Sequence, residues 1–439
     1  MMMALFLFIV FSATSLRPIA DDYCHGAVAS DGFLNGVSTW LTTWTGAMYP
    51  VLTGVLFVGL PLAVLPLGVS SAVGFIVASL IVGFLAVSAF GFGWKKKIVA
   101  NIASTLIVSI SWILHLRIVQ VVETRPGDMP SDSVGYQLAE ILTHWQTVNI
   151  GYVFGPALAM IFLSYGFFGP FRYPWLRLIT IFLSSILVGQ SSYVFGGTWV
   201  IVFLVLAILF WLRGQRVHIK NFGIGILGVI FGLVSGFFFP GSAARADSIG
   251  TDLISSIPGA IRATPNGLFQ WATETFSLTT LVVLALGGFF YTIVARRRSA
   301  DQDQNRAKFL PPVLLFASLV FYVLNEAMEE IVYGAVWHSV PARLMTFIAI
   351  FMLGSKAMEA LRLWTERRRG GGKDYIALEI AHGLIISWLL VIAAAVLSSN
   401  IEERESAWEL GPAGYDFIDD RETGWVETCW QDLEETMAS

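Results

Sequence analysis

Two adjacent carboxylates, in the run Ala20-Asp21-Asp22-Tyr23-Cys24, follow the first apolar stretch of a very hydrophobic chain. Membrane insertion calls for no such pair. Ionisable groups at the edge of a bilayer are costly, so acids held there are functional candidates by default. Transfer of a sugar to a hydroxyl needs a base that takes the acceptor proton as the new bond forms, and a carboxylate can do this while orienting the hydroxyl. In an adjacent pair one member acts and the other tunes it, because mutual repulsion raises the pKa of one. On this reading Asp21 is the base and Asp22 its partner. The plainer reading is a polar turn that caps the end of the first span by accepting backbone hydrogen bonds. Trp40, Trp44 and Tyr49 follow at short range. They suit an interfacial aromatic belt, or stacking on a sugar ring. The spacing of Trp40 and Trp44 puts both on one face if that stretch is helical.

Two cations are the expected partners of a phosphate. The Pro-Gly turn of Pro240-Gly241-Ser242-Ala243-Ala244-Arg245 ends a long apolar run and leaves Arg245 at headgroup height. Arg343, in Trp337-His338-Ser339-Val340-Pro341-Ala342-Arg343, stands just inside a later span. A guanidinium grips phosphate with a planar fork of donors. The alternative for Arg245 is an ion pair with Asp247 or a headgroup, and for Arg343 a pair with Glu326, Glu329 or Glu330. Tyr23, Trp40, Trp44 and His338 are the expected substrate-cavity residues. His144 and Trp145 lie on an expected surface helix over 133–146, with Glu140 on its face, and carry no catalytic assignment. Asp247, Asp252 and Glu274 are weaker candidates still. No Cys and His spacing suggests a metal site, and no motif points to nucleic acid or to a cofactor.

The elements that must position these residues are membrane helices. The chain is 56% hydrophobic and 13% charged, with a mean hydropathy of +0.70. Soluble domains carry about 25% charge. The reading is an all-α polytopic membrane protein with about eleven transmembrane helices. These are the segment 1–16 and runs at about 69–93, 98–119, 151–168, 178–190, 198–212, 221–239, 276–294, 309–325, 342–360 and 375–397. Segment 50–66 is punctuated by Pro50, Pro61 and Pro66, and charge parity assigns it to the interface or to a re-entrant loop. Nineteen of the 27 Lys and Arg residues then fall in short inner loops, the positive-inside pattern. The outer side holds 17–68, 120–150, 240–275, 326–341 and the tail. The expected division is a membrane domain over 1–397, with a first outer loop at about 17–68, and an acidic outer tail over 398–439. Cys24 and Cys429 both fall outside, where a disulfide is permitted.

In order and sidedness these motifs resemble the GT-C superfamily of membrane glycosyltransferases, and more narrowly an uncharacterised bacterial branch of it. The resemblance rests on Ala20-Asp21-Asp22-Tyr23, Trp44-Thr45-Gly46, Pro240 to Arg245 and Arg343, and its layout covers most of 1–397. It implies transfer of a sugar from a polyprenyl-phosphate donor to a glycan, lipid or protein acceptor, with inversion. The reaction would take place on the periplasmic or exterior face of a bacterial cytoplasmic membrane. It implies Asp21 as base and Arg245 or Arg343 as holder of the donor phosphate. The chain departs from the pattern at Ala47, where Arg is frequent, and at Ser242, where Asn is frequent. The competing readings are a transporter or flippase of lipid-linked glycans and an inactive scaffold of the same fold.

Overall fold

A computed structural model of the chain describes residues 21–30, 32–43, 48–65, 67–89, 98–123, 150–169, 171–236, 238–240, 253–293, 304–329 and 339–369. The expected first span, Trp44, the 133–146 surface helix with His144 and Trp145, Arg245, His338, the run at 375–397 and the acidic tail lie outside them. Among the described residues every regular element is helical. This is what lipid demands of an isolated span, whose backbone polar groups find partners only within the helix.

Six of these helices are long and apolar enough to cross a membrane, or up to seven if one bent pair counts as a single span. The protein is therefore an integral membrane protein of the helical class. In chain order, α1 is Asp21–Ser30 and α2 is Phe33–Thr43. Next come α3, Met48–Val64, α4, Leu67–Ala89, and α5, Ile98–Glu123. The continuous bundle follows as α6, Ile150–Phe168, α7, Pro174–Ser191, α8, Tyr193–Leu212, and α9, Arg216–Gly236. The bent pair is α10, Leu253–Thr275, with α11, Leu278–Ile293. The last two described are α12, Gln304–Glu329, and α13, Val340–Arg369.

The segment expected at the interface is the helix α3. A π turn over Val55–Gly59 precedes Pro61, and the widened turn absorbs a residue that lacks the N–H of a regular ladder. The helix ends at Val64 with Leu65 extended, the conformation favoured ahead of a proline. The hairpin α1–α2 lies on α3. It buries Cys24, Ala29, Trp40 and Leu41 against Val51 and Val55. Gly59 makes this approach possible, because a Cβ there would lie 2.5 Å from the His25 carbonyl oxygen. Gln190, at the end of α7, ties the hairpin unit to the bundle. Its carbonyl accepts from the Met48 N–H at 2.8 Å, and its amide donates to the Gly232 carbonyl at 3.1 Å.

Lipid tails are as apolar as leucine, so helices here are held by close packing and not by exclusion from water. The α7–α9 seam shows it. A Cβ on Gly189 would meet the Val229 carbonyl oxygen at 2.3 Å, and one on Gly232 would meet that of Ile186 at 2.4 Å. The α11–α13 seam is tighter, with Cβ positions on Gly287 and Gly354 each 2.0 Å from a facing carbonyl. Away from these seams, α8 exposes Leu204, Ile208, Trp211 and Leu212, and α9 exposes Leu227, Phe231 and Val234. Faces this apolar suit lipid as solvent. We expect Gly232→Val to separate α7 from α9 and to destabilise the protein by about 1–3 kcal/mol, the usual range for overpacking. A thermal melt of purified protein, with Gly223→Val in the open as its control, measures this. Equal melting of the two variants would refute the seam.

Candidate functional site

The polar centre of the described bundle lies where α10 gives way to α11. Thr275 ends one helix, Leu278 opens the next, and the axis turns by 50° between them. The sequence explains the break. Glu274-Thr275-Phe276-Ser277-Leu278-Thr279-Thr280 sets hydroxyls between two apolar runs, and hydroxyls compete with the backbone for its own hydrogen bonds. The hydroxyls of Ser277 and Thr280 donate to the Glu274 carbonyl at 2.9 and 3.2 Å, capping the end of α10. Ser277 and Thr279 hydroxyls lie 2.6 Å apart.

The Glu274 side chain reaches the first turn of α13. The Arg343 guanidinium donates to its Oε1 at 2.7 Å, and the Tyr322 hydroxyl of α12 donates to its Oε2. Arg343 is 8% exposed and Glu274 22%. A cation so far from water requires a carboxylate beside it. Ser318 and Thr346 hydroxyls, 2.6 Å apart, add a second polar link between α12 and α13.

A small, partly open cleft lies beside this pair. Its polar walls are His115, Glu274, Ser277, Thr279, Thr280, Arg343 and Thr346, and its apolar walls are Val283, Phe347 and Ile350. His115 comes from α5 and packs on Trp112 and Phe347. Its Nδ1 is buried and finds no hydrogen-bond partner among the described residues. The arrangement offers a cation, several hydroxyls, an imidazole nitrogen and the N-terminal end of α11, where backbone N–H groups favour negative charge. It can hold a polar, anionic headgroup at the rim of an apolar wall. Among the described residues no three His, Cys, Asp or Glu are grouped to hold a metal.

Of the residues singled out in the sequence, Arg343 lines this pocket. Among the described residues it pairs with Glu274, one of the weaker outer-loop acids of the sequence reading. Asp21, Asp22 and Tyr23 form the first turn of α1; the described side chains of that helix begin at Cys24. Trp40 is 4% exposed and stacks on His25 with ring centres 4.2 Å apart. Trp44, Arg245 and His338 lie outside the described residues. Cys24 is disulfide-bonded. The only other cysteine of the chain is Cys429, outside the described residues. Sequence reasoning passed over His115, Tyr322 and the partnership of Glu274. The available signal was the hydroxyl-rich interruption at 275–280, where two apolar runs meet beside an acid.

His25 gives the hairpin a pH dependence. Burial lowers its pKa from the ordinary 6.5 to about 3. Between these values the unfolded chain binds a proton that the folded one does not, so stability falls with pH through that window. The loss is about 1.4 kcal/mol per pH unit at most. Melting temperature should therefore drop more steeply below pH 6.5 in the native protein than in His25→Phe, which keeps the ring on Trp40. Parallel pH profiles for the two would refute this.

No protein family, curated protein or solved structure matches the chain.

Proposed function

We propose that the protein is a membrane glycosyltransferase. On this reading it uses a polyprenyl-phosphate sugar as donor, on the outer face of a bacterial cytoplasmic membrane, and transfers the sugar with inversion to a glycan, lipid or protein acceptor. The observation that carries the reading is the pocket at Arg343. A buried guanidinium at the mouth of a span, with hydroxyls on one side and an apolar wall on the other, suits a phosphate whose lipid tail stays in the bilayer. Asp21 is the proposed general base and Asp22 its partner. Arg343 is the donor-phosphate ligand, with Arg245 as the second cation of the sequence motif. Tyr23, Trp44 and His338 complete the proposed substrate cavity, while Trp40 packs inside the hairpin against His25. The full architecture of this reading has about eleven spans with GT-C-like outer loops.

Two further observations support it. A disulfide at Cys24 fits an oxidising compartment, which agrees with the outer placement that basic-residue segregation gives Asp21. Helices α5, α12 and α13 contribute to the pocket or its ion pair near the ends that face the long loops. Sidedness is testable by thiol labelling from each side of sealed vesicles. Cysteines placed at the exposed Leu34 and at Gly214 should react from opposite sides, Leu34 from outside. Labelling of both from one side would overturn the orientation.

A transporter or flippase of lipid-linked glycans is the second reading, favoured by the 50° break between α10 and α11. Discontinuous helices with polar residues at the break are frequent in transporters. Purified protein separates the two readings. The enzyme releases polyprenyl phosphate from a labelled polyprenyl-phosphate sugar in detergent, whereas a flippase needs a sealed proteoliposome and leaves the donor intact. Donor translocation without cleavage would displace the enzymatic reading.

A further inference from the structure

We propose that Glu274 is a resident counter-ion, displaced from Arg343 by the phosphate group of an incoming lipid phosphate ester, with Tyr322 retaining the released carboxylate. The proposal rests on the reading of Arg343 as a headgroup ligand. The geometry has three relevant parts. Glu274 meets Arg343 through one N–H···O contact, at 2.7 Å. This is less than the two-pronged grip that a guanidinium can give a carboxylate or phosphate. Glu274 also has a second anchor, the Tyr322 hydroxyl on its other oxygen, so the carboxylate can leave the cation without losing all its partners. Finally, Glu274 lies in the last turn of α10, immediately before the 50° break. A small adjustment there moves it without shifting α13.

Charge decides the direction of the effect. Among the described pocket residues Arg343 and Glu274 carry opposite charges that cancel while they are paired. An anion entering this pocket meets a cation already neutralised. Once the carboxylate withdraws, the guanidinium faces the hydroxyls of Ser277, Thr279, Thr280 and Thr346 and the start of α11, surroundings that stabilise negative charge. A phosphate then takes the place of the carboxylate and gains the bidentate grip. The pair thus keeps Arg343 compensated when the pocket is empty and weakens binding of any anion too weak to displace Glu274.

The test measures binding and not transfer. Protein in nanodiscs is titrated with farnesyl monophosphate, with farnesol and inorganic phosphate in parallel. Glu274→Gln keeps the shape and removes the charge. It should bind farnesyl monophosphate roughly tenfold more tightly than the native protein, the scale of one charge-assisted hydrogen bond relieved of a competitor. Glu274→Ala should change affinity in the same direction, so failure of one variant to fold leaves the other decisive. Arg343→Gln should abolish the gain, and farnesol should bind all forms alike. The same gain with inorganic phosphate would identify a free anion as the occupant and uphold the counter-ion role. If the native protein binds farnesyl monophosphate and both Glu274 variants bind it equally or more weakly, Glu274 positions Arg343 for the ligand and the displacement is overturned, while the headgroup site stands. If no form binds in a phosphate-dependent way, the headgroup site fails and the counter-ion role with it.

Discussion

Arg343→Leu should cost about 3 kcal/mol of stability, the lower end of what breaking a buried ion pair brings, and should abolish donor binding. Removing the guanidinium leaves Glu274 with one partner among the described residues, Tyr322, where it had two. Its 22% exposure lets some water or headgroup compensate, which is why the lower figure applies. Arg343→Lys separates the two effects. An ammonium can still meet Glu274, so the melting temperature should stay close to native. It lacks the planar fork, however, so donor affinity should fall by roughly tenfold or more. A lysine variant with native affinity would mean that Arg343 holds α10 to α13 and no ligand.

Asp21→Asn should reduce sugar transfer by about 10²–10⁴-fold, the usual contribution of a general base, with insertion and folding unchanged. Asparagine keeps the size and most of the hydrogen bonding but takes no proton. Asp22→Asn should reduce it less, because its proposed task is to tune its neighbour. The structure sharpens the alternative. Both residues sit in the first turn of α1, where a carboxylate also stabilises a helix through the positive end of its dipole. A capping role would lower the melting temperature by the same amount in both variants and leave turnover intact. Full turnover in the Asp21→Asn, Asp22→Asn double variant would remove the pair from the mechanism.

The helical class and the membrane setting were legible because lipid leaves the backbone few choices. The runs expected at 151–168, 178–190, 198–212, 221–239, 309–325 and 342–360 correspond to α6, α7, α8, α9, α12 and α13. Those helices extend past several of the expected ends because polar residues such as Arg177 and Lys220 continue a helix beyond its apolar part. The proline-rich stretch at 50–66 was harder. Periodicity gives no sign that a π turn carries the helix through Pro61.

The site was legible only in part. Arg343 stood out because a lone cation inside a span needs a partner, but no local pattern reveals which distant acid supplies it. Glu274 lies 69 residues away, and only the packing of α12 against both α10 and α13 brings it there. His115 looked like one more residue of an apolar run until Phe347 and Arg343 were placed beside it. Trp40 read as an aromatic of the interfacial belt or a stacking platform for a sugar, and its contact with His25 is likewise set by the fold of the hairpin.

The most direct test of the central claim is photocrosslinking with a polyprenyl monophosphate that carries a photoreactive group next to the phosphate, in native membranes. Mapping the labelled peptides by mass spectrometry should place the label on the stretches around Thr279–Val283 and Thr346–Ile350, which line the pocket at Arg343. The label should be competed by unmodified polyprenyl phosphate but not by the corresponding alcohol. Label confined to the lipid-facing surfaces of α8 and α9, or competed equally by the alcohol, would contradict a phosphate-reading site at Arg343.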